Sequence, residues 1–139
     1  MIPPAPLPAP PKLGDKSLPT PDDPQVQLIR SYGPGHFKIA NHDWREPVLV
    51  TQTFTTPWPV TRADEVAVAN LAGLKAASAP IEFLVLGCGP RSLFIAPEVK
   101  AAIKAAGMAL EVVDTGSACR TYNVLLAEGR RVAAALIPL

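Results

Sequence analysis

Apolar and polar positions alternate over much of residues 25–57, whereas beyond residue 80 they gather into blocks. The change of pattern predicts two kinds of structure in one chain. Val26-Gln27-Leu28 and Phe37-Lys38-Ile39 have the period of two expected of half-buried strands, and Tyr32-Gly33-Pro34-Gly35 between them carries turn chemistry. A third strand is expected from Val48 to Phe54, with Val48, Val50 and Phe54 on one face, after a turn at Asn41-His42-Asp43. Short connections make these three an antiparallel meander.

Thr61-Arg62-Ala63-Asp64 then has the form of a capping box, with the threonine oxygen accepting from the first turn and the aspartate reaching back, opening a helix that Gly73 can close. The mostly apolar run Ile81 to Leu86 fits a strand covered on both faces. Pro97 and Gly107 bracket a second helix, and Leu110 to Val113 is the next strand. Ser117 is positioned to cap a third helix that runs to about Glu128 and ends at Gly129. Its buried stripe is Ala118, Tyr122, Leu125 and Leu126, and Val132 to Ile137 is a last strand. The second half therefore reads as a β-α-β-α-β unit with parallel, right-handed connections. The fold class is α/β: a mixed sheet in which the meander joins a parallel core covered by helices.

Composition changes this picture only at the start. Residues 1–24 hold nine of the seventeen prolines, each of which fixes φ and removes a backbone donor. They are expected to form a disordered, polyproline-like tail, leaving 25–139 as a single domain large enough to bury roughly two thirds of its unfolded surface. The functional alternative for the tail is a ligand for a proline-recognising groove. A net charge of +1 gives no indication of nucleic acid as a partner. No apolar run reaches the length of a transmembrane segment, and the N-terminus has neither the basic start nor the apolar stretch of a secretory signal, so a cytoplasmic location is expected. Cys88 and Cys119 are then two free thiols.

Candidate chemistry concentrates in two loops at the carboxyl ends of parallel strands, the edge where such sheets bind ligands. The first is Gly87-Cys88-Gly89-Pro90-Arg91-Ser92 and the second is Asp114-Thr115-Gly116-Ser117-Ala118-Cys119-Arg120. Gly87-x-Gly89 after a strand, with Asp114 closing the next, suggests a dinucleotide or S-adenosyl site. Ser92 at the third glycine position, the intrusion of Pro90 and a helix beginning only near Pro97 favour a tight structural loop and no cofactor. Cys119 near a helix start could be a thiolate, helped by Arg91 or Arg120, or a small packed residue. His36 and His42 both lie on the meander, so no base is placed beside it, and two cysteines with two distant histidines match no metal-ligand spacing. Arg120 faces the positive end of a helix dipole, either paired with Asp114 or receiving an anion or an acidic partner, and Asn123 shares its helix face. Trp58 reads as a lid on the core or an exposed anchor.

The run from Glu111 to Ile137, above all Asp114-Thr115, Ala118-Cys119-Arg120-Thr121-Tyr122-Asn123, resembles one family. It is the small domain of unknown function shared by bacteria, archaea and the mitochondrial complex I assembly factor three. Leu84-Val-Leu-Gly-Cys-Gly-Pro-Arg91 and the strand pair from Tyr32 to Ile39 extend the resemblance over residues 25–139. It implies a three-layer α/β fold around a central mixed sheet. For function it implies help in assembling NADH:ubiquinone oxidoreductase among the mitochondrial relatives, with no established catalytic residues. Without a mitochondrial presequence the chain looks like a bacterial member. Two readings follow. One is a non-enzymatic factor binding a protein partner through Arg91, Arg120 and Asn123. The other is a domain binding an anionic ligand or nucleotide, or a thiol-dependent enzyme, with its site at the loops 87–92 and 114–120, where Gly87, Cys88, Gly89, Arg91, Asp114, Thr115, Cys119 and Arg120 are the candidates. Neither calls for a cofactor or a metal, and the oligomeric state stays open.

Overall fold

A computed structural model of the chain describes residues 26–77 and 79–139. The tail expected over residues 1–24 lies outside them. Among the described residues, eight strands form two sheets. Strands β1 (Ile29–Gly33), β2 (His36–Ile39) and β3 (His42–Trp44) make an antiparallel meander that is a sheet of its own. A second, mixed sheet contains β4 (Val48–Val50), β5 (Thr55–Pro57), β6 (Phe83–Gly87), β7 (Ala109–Val113) and β8 (Val132–Leu136), in the order β5-β4-β8-β6-β7. Strands β8, β6 and β7 are parallel, and β4 joins antiparallel to β8.

Alternation along each central strand separates two cores. Leu49, Leu84, Leu86, Ala133 and Ala135 face one side. They are covered there by Ile103 of helix α1 (Pro97–Ala105) and by a segment holding Trp58, Leu71 and Leu74. Val48, Val50, Val85, Ala134 and Leu136 face the other side, under helix α2 (Thr115–Ala127) and the apolar face of the meander, including Ile29, Phe37 and Ile39. The result is three layers with the mixed sheet in the middle, which is the expected fold class. Trp58 is a core residue, and its indole N–H donates to the Asn70 carbonyl at 2.9 Å.

Several local expectations are corrected: the first strand begins at Ile29 and takes in Tyr32 and Gly33, and the strand expected from Val48 to Phe54 ends at Val50. Val48–Val50 leaves the meander for the central sheet, because β8 offers it a partner on the same apolar layer. His42 and Asp43, expected in a turn, belong to β3, and the turn falls at Ala40 and Asn41. The helix expected after Thr61 is two 3-10 segments, Ala63–Glu65 and Val68–Ala76, with Gly73 inside the second. Glu65, one residue beyond Asp64, reaches back to the Thr61 and Arg62 amides at 2.8 and 3.0 Å. Finally, the cap of α2 is Asp114, whose carboxylate accepts from the Ser117 amide at 3.0 Å. By contrast, Pro97 does open α1, and Gly107 and Gly129 end the two helices at φ +94° and +78°, a conformation glycine adopts without strain.

Candidate functional site

Helix α1 follows β6 on one face of the sheet and α2 follows β7 on the opposite face, while β6 and β7 are neighbours. The chain therefore diverges between their carboxyl ends, the position at which open parallel sheets form a crevice. The two loops singled out by the sequence meet there.

In this molecule the crevice is closed by the backbone. The Cys88 amide donates to the Val113 carbonyl at 3.0 Å, the Thr115 amide to the Gly89 carbonyl at 2.8 Å, and the Ile137 amide to the Gly87 carbonyl at 3.0 Å. Thr115, fully buried, joins all three chain segments: its Oγ1 accepts from the Gly89 amide at 2.8 Å and donates to the Ile137 carbonyl at 2.6 Å. Gly87 makes that approach possible, since a Cβ there would lie 3.0 Å from Thr115 Cα, Thr115 Oγ1 and Leu136 Cδ2. A phosphate cradle needs amides aimed at the ligand. Here those of Cys88, Gly89, Thr115 and Ser117 already have partners within the protein.

The charged groups are similarly engaged. Asp114 accepts from both the amide and the hydroxyl of Ser117, and those bonds, with the Arg120 charge, hold its carboxyl below the usual aspartate range. The Arg120 guanidinium donates to Tyr32 Oη on β1 and to Ser117 Oγ, so it ties the start of α2 to the meander. Asn123 pairs with the backbone of Ile29, its Oδ1 accepting from the amide at 3.0 Å and its Nδ2 donating to the carbonyl at 2.9 Å. Tyr122 Oη lies 2.8 and 3.0 Å from the carbonyl oxygens of Gln27 and Thr51, and burial raises its pKa. Thus the Ala118-to-Asn123 motif fastens the meander to α2.

Neither thiol is activated. Burial pushes Cys119 up to about 12, outweighing the favourable Arg120 charge. Burial also raises Cys88, with a partial offset from the Leu93 amide donating to its sulfur. The two sit in opposite cores with the sheet between them, and both are free.

What the loops present outward is different. Arg91 is exposed with no ion pair among the described residues. Phe94 is 78% exposed and Leu93 44% exposed. Both line a groove of about 490 Å³ together with Pro90, Ile137 and Pro138. Sequence reading overlooked Leu93 and Phe94, because a pair of apolar residues in a loop belongs to no period. The one available signal was an aromatic residue between Ser92 and Pro97, outside any element able to bury it.

The family model described as a protein of unknown function (DUF498/DUF598) matches residues 29–137. An uncharacterized protein of Rhodobacter capsulatus is 38% identical over 111 residues, covering 80% of this chain and 84% of that one. NADH dehydrogenase [ubiquinone] 1 alpha subcomplex assembly factor 3 of Danio rerio is also 38% identical over 111 residues, covering 80% of this chain and 64% of the fish protein. The chain thus spans under two thirds of that vertebrate relative. A crystal structure from Bordetella parapertussis superposes with a TM-score of 0.74 at 33% identity, covering 82% of this chain and 97% of the other. Among the described residues, no helix is long and apolar enough to cross a membrane. By sequence and by fold, this chain belongs to the DUF498/DUF598 family, whose members include complex I assembly factors.

Proposed function

We propose that this protein is a non-enzymatic, cytoplasmic factor that binds a protein partner during assembly of a respiratory or other membrane complex. Its contact surface is the outward side of the loop after β6. The observation that carries this reading is Phe94: a large aromatic ring held 78% exposed beside Leu93 and Arg91, on a base locked by Thr115. Exposed aromatic and arginine side chains over a rigid support are the usual anchors of protein interfaces. The assembly-factor relatives supply the class of partner. The protonated thiols and the occupied amides count against the alternative of an anionic ligand or a thiol enzyme at the same loops.

The test is capture from the native host. Tagged protein is mildly cross-linked in cells and its co-purifying proteins are identified by mass spectrometry, with the Phe94→Ser/Arg91→Glu variant run in parallel. Subunits of NADH:ubiquinone oxidoreductase enriched with the unsubstituted protein and lost with the variant are the expected result. A preparation free of partners overturns the assembly role, and equal capture by both proteins overturns the choice of surface.

A further inference from the structure

A separate surface lies on the far side of α1. Strand β7 is the outermost strand of the central sheet, with β6 as its only neighbour among the described residues. The ladder between them fixes which of its backbone groups are spent. Ala109 donates to the Glu82 carbonyl and Val113 accepts from the Cys88 amide, so Ala109, Glu111 and Val113 bond inward to β6. Leu110 and Val112 turn their amides and carbonyls to the open side. One of these four groups is covered, since Ser92 Oγ donates to the Val112 carbonyl at 3.2 Å. Beside this edge runs a trough of about 630 Å³, floored by Met108, Leu110 and Val112 and walled by Lys100 and Lys104 of α1.

The two lysines are four residues apart on one helix face, where like charges repel. Both are exposed, and neither is in an ion pair among the described residues. Native edges are normally blunted by charge, bulges or cover. On β7 the one charged side chain, Glu111, alternates to the opposite face, because Leu110 and Val112 pack with the α1-side core. The trough side of this edge is therefore apolar at its floor and positive at its rim.

We infer that β7 accepts an extended, acidic segment of another protein, which adds as a sixth strand and sets its carboxylates against Lys100 and Lys104. A second copy of this chain is disfavoured as the occupant. Antiparallel pairing of two β7 strands that matches Leu110 to Val112 in both directions places Glu111 directly opposite Glu111 of the other copy, about 4.5 Å apart at Cα, where like charges repel. It would also bring four lysines to one seam.

The full chain is titrated with a synthetic peptide of alternating Glu and Val residues, blocked at both ends, and with its Lys-Val counterpart, while backbone amide resonances are followed by NMR. The Glu-Val peptide is expected to shift the Leu110 and Val112 amides and to bind at least tenfold more tightly than the Lys-Val peptide. In Lys100→Glu/Lys104→Glu that preference should reverse. Leu110→Pro, which removes an outward amide and a trough-floor side chain but none of the amides that bond to β6, should abolish the response at Val112 with resonances remote from the edge in place. Unshifted edge amides, or equal binding of both peptides to both proteins, overturn the inference. So does a concentration-dependent dimer that protects Leu110 and Val112, which would assign the edge to a second copy. Loss of capture through Phe94 leaves these readouts untouched, so the two surfaces stand or fall separately.

Discussion

Between Asp114 and Asn123 nearly every polar side chain is spent on the protein itself, whereas between Pro90 and Phe94 the chain turns its side chains outward. The two segments leave adjacent strands at the same edge of the sheet, and both look equally rich in reactive residue types. The difference lies in what each must support. The α2 start anchors the meander through Arg120, Tyr122 and Asn123, and a side chain bonded to a distant backbone group is not free for a ligand. The β6 loop only has to travel from the sheet to α1, and its backbone is fixed at Cys88 and Gly89, before the exposed residues begin. A motif dense in polar residues can therefore be architecture, while the contact surface sits in the less conspicuous stretch beside it.

The contrast can be broken most forcefully at Thr115. Thr115→Val keeps the shape but orphans the Gly89 amide and the Ile137 carbonyl, and should cost about 3 kcal/mol in urea unfolding. A loss under about 1 kcal/mol would mean that the locked base is not locked. Gly87→Ala should cost about 2 kcal/mol by the same measurement, since the new methyl meets the Thr115 backbone, which cannot swing aside. On the open segment the expectation inverts: Phe94→Ser should change stability by less than about 0.5 kcal/mol while removing partner capture. Large destabilisation there would reassign Phe94 to packing.

The thiols sharpen the contrast more gently. With Cys88 raised and Cys119 near 12, alkylation by iodoacetamide at pH 8 should be far slower than that of a free thiol and should accelerate with denaturant. Rapid labelling of either would restore a reactive-cysteine site. The smallest effect concerns Asp114. Its folded pKa is depressed, so its contribution is present above the unfolded value of about 4 and fades as pH falls through the folded one. Asp114→Asn should therefore flatten the acid limb of the stability profile, measured by Tm between pH 2 and pH 6, and leave the alkaline limb alone.

Local signals made much of this fold legible. The strands near Leu84, Leu110 and Ala134, both α-helices and their glycine stops are announced by residues within a few positions of where they act. Pairing over distance is not announced. Nothing around Val48–Val50 says that its partner is Ala134 to Leu136, more than eighty residues later, instead of the meander just before it. The longer 3-10 segment hid for another reason. Leu71 and Leu74, both buried, are three apart, a spacing that an α-helix and a 3-10 helix share. Gly73, expected as a terminator, sits inside the segment and close against the sheet, where a Cβ would stand 3.3 Å from Leu49 Cδ1. At the site, the gathering of Gly87, Cys88, Asp114 and Arg120 at one edge followed from topology. Their mutual satisfaction depends on Tyr32, Ile29 and Ile137, which come from elsewhere in the chain.

Among the described residues, strand β8 occupies the middle of the sheet although it is the last strand in sequence. During synthesis the β4-β5 hairpin and the β6-α1-β7 unit thus emerge with nothing between them, each showing apolar faces to the ribosome's surroundings. Only when residues 132–136 leave the exit tunnel can the three alanines, Ala133 to Ala135, slide into a gap already flanked on both sides. The central sheet therefore cannot close until residues 132–136 are free of the ribosome. A chain stalled before β8 would leave the central sheet open and its apolar faces accessible to proteases.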